Sequence, residues 1–397
     1  MLISVRICMA QTAYVANETS NNVTVINTVT NSVITTIPLA NWQHASGVSV
    51  SLDGAKVYVG GSSNPGYLTV INTATNTISA TIPVGHYPFG LCVSPDGSKV
   101  YVACQTDTAV DVINTTTNTI SSIIRVGANP LGVSFSPDGS KAYVANYSSN
   151  TVSVINTAAD TVTATIPVGS NPFGIIVTPD GSNVYVANFG HDSVSVINTA
   201  TNTVFETIIV GTAPNGLCVT PDGSKVYVTN WSSNTVSVIS TATNTVSSTI
   251  PVGSGPQGIS VTPDGAKVYV GNELSSNIVS VINTATDTVS TTVIAGSDPV
   301  TFGNFISSYP LVTTNVISQK NNLENISIYP NPTSGQFTLV LPTDNATIAI
   351  TDILGQHILK TQATQKTTNL QLDNNGVYIV YVTTKQGTTT RKLIVNR

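Results

Sequence analysis

Charged residues are scarce in this 397-residue chain, where Asp, Glu, Lys and Arg together make up 8% of the sequence. Ordinary soluble domains contain about 25%. Residues 1–319 hold 7 basic against 15 acidic residues, whereas residues 320–397 hold 7 against 4. An acidic body without basic clusters argues against nucleic acid and anionic membrane as partners. No stretch reaches the length of a membrane-spanning helix.

Cysteine is also rare, and its spacing does not indicate a disulfide framework. Two of the four cysteines, Cys92 and Cys218, occupy the same position of a repeat three units apart. The expected hairpin register puts Cys92 nearer Tyr101 than Cys104. We therefore predict small, buried, unpaired cysteines. Motifs of nucleophilic or phosphate-binding enzymes are missing as well: the sequence has no Gly-x-Ser-x-Gly elbow, no phosphate-binding glycine loop and no Cys-x-x-Cys.

What the chain does contain is a repeat of about 42 residues, marked by a tyrosine that recurs at steps of 44, 43, 42, 42, 42 and 42 residues. The seven tyrosines are Tyr14, Tyr58, Tyr101, Tyr143, Tyr185, Tyr227 and Tyr269. A fixed period of this length is typical of repeat architectures. Each unit reads as four short strands separated by turn signals such as Pro137-Asp138-Gly139, and four strands per unit predict a β-propeller blade.

Counting landmarks predicts how the ring closes. The glycine that opens the first strand occurs seven times, from Gly47 to Gly303, and the tyrosine occurs seven times, but the Asp-Gly turn between them occurs only six times. The unmatched members are Tyr14 and Gly303. We therefore predict a seven-bladed propeller over residues 13–306, in which residues 302–306 supply the innermost strand of the blade formed by residues 13–39. Such closure removes open sheet edges.

The motif at each tyrosine, such as Tyr143-Val144-Ala145-Asn146, resembles the YVTN family of β-propeller repeats. In two units Gly61 and Cys104 replace the asparagine, which we expect to loosen a loop anchor. The resemblance implies a seven-bladed propeller that is often extracellular or associated with a surface layer, usually without assigned catalysis.

The repeat ends before a polar stretch, residues 307–325, which we interpret as a linker. The segment that follows, residues 326–397, reads as a small Ig-like β-sandwich, with alternation from Val377 to Thr383 and a Gln386-Gly387 hairpin. Its motifs resemble the type A C-terminal sorting domain of the Bacteroidetes type IX secretion system. The residues that carry this resemblance are Tyr329, Pro330, Asn331, Pro332, Gly335, Asp352, Gly355, Gly376, Tyr378, Lys392 and Leu393. The resemblance implies export by the type IX machinery and a secreted or cell-surface location.

The start of the chain, residues 1–12, is apolar and ends Cys8-Met9-Ala10 before Gln11, like the tail of a secretory signal. It lacks a basic n-region and a full apolar core. We interpret it as a signal peptide truncated by a late start codon, and a frayed strand is the alternative.

The candidate ligand face is the one on which the loop into the first strand and the loop after the second strand open. These loops vary most between units, as functional loops on a repeated scaffold do. They hold both tryptophans and the three histidines of the propeller. The candidate residues are Trp42, His44, His86, Tyr87, Phe89, Tyr147, Phe189, His191 and Trp231.

Three functional hypotheses remain open for this face. The leading one is a non-catalytic module that binds a protein or a glycan, because aromatic loops on a rigid ring suit both. A lactonase-like or lyase-like propeller enzyme would require polar residues of several blades to converge at the channel mouth. A structural surface-layer component would pack through blade edges. We expect no metal or cofactor, because the histidines fall out of register and no carboxylate is repeated beside them. The triplets that start at Asp107, Asp160, Asp192 and Asp287 resemble the Bacteroidetes O-glycosylation signal, although ordinary turn residues explain them better.

Overall fold

The computed structural model of the protein describes residues 11–39, 44–274, 277–307, 326–341, 344–352, 357–384 and 387–396. These residues form strands and turns, with two 3₁₀ turns at Gln105–Asp107 and Phe189–His191. The chain divides into two compact units, residues 1–313 and residues 314–397. The domain boundaries drawn from the sequence stay predictions, since most of the supposed linker lies outside the described residues.

The first unit consists of seven antiparallel sheets, numbered here as blades 1 to 7. Their strands are, for blade 1, β1 (Thr12–Asn17), β2 (Asn22–Asn27) and β3 (Ser32–Pro38); for blade 2, β4 (Ala45–Val50), β5 (Lys56–Gly61), β6 (Gly66–Asn72) and β7 (Thr77–Val84); for blade 3, β8 (Pro88–Val93), β9 (Lys99–Cys104), β10 (Ala109–Asn114) and β11 (Thr119–Arg125); for blade 4, β12 (Pro130–Phe135), β13 (Lys141–Asn146), β14 (Thr151–Asn156) and β15 (Thr161–Pro167); for blade 5, β16 (Pro172–Val177), β17 (Asn183–Asn188), β18 (Ser193–Asn198) and β19 (Thr203–Ile209); for blade 6, β20 (Pro214–Val219), β21 (Lys225–Asn230), β22 (Thr235–Ser240) and β23 (Thr245–Pro251); and for blade 7, β24 (Pro256–Val261), β25 (Lys267–Asn272), β26 (Ile278–Asn283) and β27 (Thr288–Ile294).

The hairpin between the first two strands of a blade is fixed by its Asp-Gly turn. In blade 4, the Asp138 carboxylate accepts a hydrogen bond from the Ser136 hydroxyl at 2.6 Å and another from the Ser140 backbone N–H at 3.0 Å. Gly139 has a φ of 71°, a conformation that costs glycine little. The same bonding pattern recurs at the other five Asp-Gly turns. These turns all lie at one end of the ring, as the sequence predicted.

The ends of the propeller chain pair with each other, which confirms the predicted closure. Ala13 lies opposite Ile306 and Asn17 lies opposite Pro299, both antiparallel. The Tyr14 backbone N–H donates to the Phe305 carbonyl at 2.9 Å, and the Val300 N–H donates to the Ala16 carbonyl at 3.1 Å. The segment 299–306 thus takes the innermost position of blade 1.

This closing segment is longer and less regular than the predicted strand, residues 302–306. In blades 3 to 7 one residue separates the first-strand proline from the opening glycine, as in Pro130-Leu131-Gly132. In the closing segment three residues separate Pro299 from Gly303. The extra residues bulge, with a φ of 22° at Thr301 and 113° at Gly303. Phe302 consequently pairs in parallel with Gly47 of blade 2, its N–H and carbonyl bonding to Ser46 and Val48.

The repeated tyrosines are all buried, and several of them join neighbouring blades through their hydroxyls. The Tyr185 hydroxyl of blade 5 donates to the Asn244 side chain of blade 6 at 2.7 Å, and Tyr227 donates to Asp287 of blade 7 at 2.7 Å. The last tyrosine, Tyr269 of blade 7, donates to Asn31 of blade 1 at 2.5 Å, which carries the pattern across the closure. The acceptor residues, Asn244, Asp287 and Asn31, have the positive φ values typical of turn residues. Each of them therefore forms part of a turn in its own blade and also accepts a hydrogen bond from the neighbouring blade.

The second unit is a sandwich of two sheets around one core. Its strands are β28 (Ser327–Tyr329), β29 (Gln336–Val340), β30 (Ala346–Asp352), β31 (His357–Ala363), β32 (Thr367–Gln371), β33 (Gly376–Thr384) and β34 (Gly387–Val395). The order is β28-β29-β32 in one sheet and β31-β30-β33-β34 in the other. Tyr378, Val380 and Val382 are buried, in agreement with the predicted alternation.

Candidate loop-face site

The two loops of the predicted ligand face are held together by backbone hydrogen bonds. The N–H groups of Tyr147, Phe189 and Trp231 donate to carbonyls of the loop that enters the first strand of the same blade, at 2.9, 3.0 and 2.9 Å. The first side chain after each second strand therefore has a fixed place on the face. These hydrogen bonds confirm the prediction that the two loops lie at the same end of the blade.

The asparagine that ends the second strand anchors these loops. Asn188 is fully buried, and its side-chain N–H groups donate to the Ser193 and Ser195 hydroxyls at 3.1 and 2.9 Å. A glycine faces it: a Cβ on Gly169 would lie 2.5 Å from the Asn188 Cγ. Asn146, Asn230 and Asn272 make the corresponding bonds.

Blade 3, which has Cys104 in place of the asparagine, fills the anchor position differently. Asp111 stands where the other blades have serine or threonine, and its carboxylate accepts a hydrogen bond from the Gly85 N–H at 2.8 Å. Asp111 is 4% exposed, and burial raises its pKa although the Gly85 and Cys104 hydrogen bonds oppose the shift. Burial also raises the pKa of the Cys104 thiol. The loop of blade 3 is therefore still anchored, by the Asp111 carboxylate instead of an asparagine amide.

Three of the predicted aromatic residues, Phe89, Tyr147 and Phe189, come together in one cluster. Phe173 links them, with ring centroids 5.4 Å from Phe89, 6.1 Å from Tyr147 and 5.9 Å from Phe189. Phe302 of the closing segment completes the group at 5.4 Å from both Phe89 and Phe173. We name these five residues the aromatic cluster. Phe302 is buried and the other four are half-buried.

The histidines lie apart from this cluster and from one another. His86 Nδ1 is 2.8 Å from Asp107 Oδ1, and His44 Nδ1 is 3.8 Å from Glu18 Oε1. His191 is exposed. Burial alone would raise the pKa of Asp107, but the hydrogen bonds from the His86 ring and backbone outweigh it and lower that pKa. Each histidine thus faces at most one carboxylate in the described part of the chain.

The remaining aromatic candidates are also separate. The Trp231 indole N–H donates to Glu273 at 2.8 Å, from blade 6 to blade 7. Tyr87 is 38% exposed, and Trp42 lies outside the described residues.

The Glu18 carboxylate lies near other charged groups of this face. Burial, followed by the nearby Glu273 charge, raises the pKa of Glu18, while His44 lowers it in part. Within the described ranges, no three His, Cys, Asp or Glu side chains are grouped so that they could hold a metal ion.

Sequence reasoning missed two members of the cluster, Phe173 and Phe302. Phe173 occupies the same Pro-x-Gly position as Phe89. An alignment of the units would therefore have placed both phenylalanines at the same height in the propeller. Phe302 belongs to the irregular closing segment, and its position depends on a bulge that no sister unit shares.

In the second unit, the motif residue Asn331, which follows β28, is hydrogen-bonded to the last strand, β34. The Asn331 side chain donates to the Lys392 carbonyl at 2.7 Å and accepts from the Ile394 N–H at 2.9 Å. The Tyr378 hydroxyl donates to the Asn374 carbonyl at 2.9 Å, and Gly335 has a φ of 113°. Leu393 is buried, whereas Tyr329 and Lys392 are exposed. Gly355 and Gln386 lie outside the described residues.

Comparison with known families agrees with both units. The family described as secretion system C-terminal sorting domain matches residues 327–396, and the family described as lactonase, 7-bladed beta-propeller matches residues 158–249. The chain is a seven-bladed propeller with a type IX sorting domain. No curated protein matches it significantly. The sorting domain marks proteins that type IX secretion exports to the cell surface or the extracellular space, so the predicted location is confirmed.

Solved structures similar to this propeller protein share its fold. Hydrazine synthase of Kuenenia stuttgartiensis is 24% identical with a TM-score of 0.63, over 69% of this chain and 92% of that one. A functionally unknown protein from Desulfotomaculum acetoxidans is 19% identical with a TM-score of 0.65, over 74% and 98%. A putative 6-phosphogluconolactonase from Bacteroides uniformis is 16% identical with a TM-score of 0.63, over 73% and 98%. Across the described residues, no helix is long and apolar enough to cross a membrane.

Proposed function

We propose that the exported propeller acts by binding, and that it holds a protein or a glycan on its loop face through the aromatic cluster. The observation that carries this proposal is the group of four half-buried rings, Phe89, Tyr147, Phe173 and Phe189, drawn from blades 3, 4 and 5. Half-buried rings retain apolar surface that a partner covers on binding.

The rigidity of the cluster supports this role. The rings contact one another at tilted or perpendicular angles between 35° and 85°. The loops of blades 4 and 5 are anchored by the buried Asn146 and Asn188, and the loop of blade 3 by Asp111. A preorganised aromatic group loses little side-chain freedom when it binds, and such residues carry much of the energy of interfaces. The same rings offer stacking surfaces to the apolar faces of sugars.

The arrangement of the acid–base groups favours binding over catalysis. General acid–base chemistry needs ionisable groups within hydrogen-bond reach of one reacting centre. On this face the described His86–Asp107 pair lies in blade 3, whereas the Glu18 carboxylate and its charged neighbours His44 and Glu273 lie in blades 1, 2 and 7. The rings of the cluster contribute no strong acid or base.

The test uses glycan arrays and pull-downs with the purified full chain, then repeats the positive interaction with variants. Phe189→Ala should weaken it at least tenfold, because it removes a half-buried ring of the cluster. Phe205→Ala is the control, since Phe205 is 51% exposed but lies on the outer strand β19. Equal losses in both variants would refute the loop face as the site.

A lactonase-like enzyme is the second candidate, favoured by the family match over residues 158–249 and by the fold shared with the putative 6-phosphogluconolactonase. Hydrolysis of 6-phosphogluconolactone is the direct assay. A turnover that depends on His86 or Asp107 would support this candidate and overturn the binding proposal. A rate equal to that without protein would leave binding as the better account.

A further inference from the structure

The seven innermost strands enclose a cavity of about 580 Å³ that the loop-face proposal does not use. Its lining comes from β4, β8, β12, β16, β20, β24 and the closing segment. One end is bounded by Phe302, which packs against Phe89 and Phe173. The other end reaches the Asp-Gly turns, where Leu52 is 57% exposed and Pro137 is exposed. The cavity therefore opens on the face opposite the aromatic loops.

The lining is mainly aliphatic and carries no Asp, Glu, His, Lys or Arg among the described residues. Leu91, Ile175 and Ile259 are typical of it. Its few hydroxyls are already engaged: Ser49 and Ser134 accept hydrogen bonds from the Val93 and Val177 N–H groups at 3.2 Å. A charged ligand group would lose its hydration here without gaining a partner.

One ring of positions faces the axis in the middle of the cavity. Each member pairs with a repeated tyrosine across the first hairpin, and the members are Ser49, Cys92, Ser134, Ile176, Cys218 and Ser260. Five of the six are serine or cysteine, which have small side chains, and Ile176 and Cys92 keep accessible surface. The register confirms that Cys92 lies opposite Tyr101, and Cys92, Cys104 and Cys218 are free thiols. Small side chains at this level leave the space that forms the cavity.

The mouth of the cavity is negatively charged. Asp96, Asp138 and Asp222 directly follow prolines that line it. Hydrogen bonds from Ser136 and Ser140 lower the pKa of Asp138 to about 2, so its carboxylate is ionised at neutral pH. The nearby lysines are directed elsewhere: Lys99 and Lys141 donate to carbonyls in the outer turns of the next blade. An anionic ligand would meet repulsion at this entrance.

We propose that this cavity is a binding site for an uncharged small molecule with a largely apolar body, separate from the loop face. The volume lies within the range of about 300–1,000 Å³ found for small-molecule pockets, which are likewise mostly apolar with a few polar groups. The ring of carboxylates selects against anions, and the absence of charge inside selects for an apolar body. Phe302 sets the depth to which the ligand enters.

The experiment compares two fluorescent probes that share one aromatic body. N-phenyl-1-naphthylamine is uncharged, and 1-anilinonaphthalene-8-sulfonate carries a sulfonate. Titrated into the full chain, the uncharged probe should bind in a saturable way and at least fivefold more tightly than the anionic one. Equal affinities, or tighter binding of the anionic probe, would overturn the proposal.

Matched substitutions locate the bound probe. Ile176→Phe fills the cavity and should weaken binding of the uncharged probe at least fivefold, whereas Ile123→Phe, on the outer strand β11 where Ile123 is 57% exposed, should leave it unchanged. If Ile176→Phe does not fold, Phe302→Ala, which enlarges the cavity, should still change the affinity at least threefold. Binding unaffected by every cavity variant would place the probe elsewhere and refute the proposal. A loss of loop-face binding in Phe189→Ala would not alter these results, so the two proposals fail separately.

Discussion

The seven repeated tyrosines occupy the same position of each blade, but their hydroxyls are not equivalent. The Tyr185 hydroxyl donates to Asn244 at 2.7 Å, whereas the Tyr143 hydroxyl, also buried, has no hydrogen-bond partner in the part of the chain that the structure describes. A buried hydroxyl with a partner contributes to stability, while an unpartnered one has already lost its hydration.

This difference predicts unequal effects of removing the hydroxyl. Tyr185→Phe should lower the free energy of unfolding by about 1 kcal/mol. Tyr143→Phe should leave it unchanged or raise it slightly. Urea denaturation of both variants measures the two values. A larger loss in Tyr143→Phe than in Tyr185→Phe would contradict the bonding pattern.

The aspartates of the Asp-Gly turns predict a loss of stability in acid. Hydrogen bonds from neighbouring serines or threonines lower the pKa values of Asp96, Asp138, Asp180 and Asp222. Because the pKa is lower in the folded state, each contributes stability above its unfolded pKa that is lost as the pH falls through the folded value. Thermal unfolding should therefore shift downward between about pH 4 and pH 2. In Asp138→Asn this acid-dependent shift should be smaller.

At the scale of strands and loops, the buried asparagine decides how firmly the loop face is held. Asn188→Ala breaks hydrogen bonds to two buried hydroxyls and should cost about 2–3 kcal/mol of unfolding free energy. The matched change in blade 3, Cys104→Ala, removes the thiol and its hydrogen bond to Asp111. Because a thiol is a weak hydrogen-bond donor, the change should cost only about 1 kcal/mol. Chemical denaturation of both variants gives the comparison. Equal losses would show that the asparagine is not a special anchor.

Regular elements were predictable from the sequence, and the irregular ones were not. The Pro-Asp-Gly turns and the alternating strands follow from local backbone chemistry, which acts alike in every unit. The bulge at Thr301 and Gly303 depends on contacts with blade 2, so no local sequence pattern predicts it. The aromatic cluster and the central cavity arise only when residues from different blades meet. For the same reason, the role of Asp111 as the loop anchor of blade 3 could be recognised only in the structure.

At the scale of the whole molecule, the two units have separate roles. The sorting domain has its own buried core, including Leu339, Ile348 and Val380, and the propeller has its own closed ring. Deleting residues 326–397 should therefore leave the propeller folded but abolish its appearance outside the cell. Fractionation of a type IX-secreting host, with thermal unfolding of the retained protein, measures both. Export of the deleted form would contradict the assignment of the tail.

The closure itself was predictable because a count of landmarks is a property of the whole chain. Tyr14 and Gly303 lacked partners in their own units, and a propeller leaves only one way to pair them. The count could not fix the register, since the closing segment contains residues with no equivalent in the other blades.

The most direct test of the closed ring is a disulfide between Ala13→Cys and Ile306→Cys. Hydrogen bonds from Tyr14 to Phe305 and from Ser307 to Thr12 flank this pair, so its Cα atoms should lie about 4.5 Å apart, within disulfide reach. Peptide mapping after mild oxidation should recover the 13–306 cross-link in nearly all of the protein. A pairing of Ala13→Cys with Val261→Cys of blade 7 serves as the control and should stay reduced. Free thiols at 13 and 306, or cross-linking in the control alone, would contradict a ring of seven blades closed by its two ends.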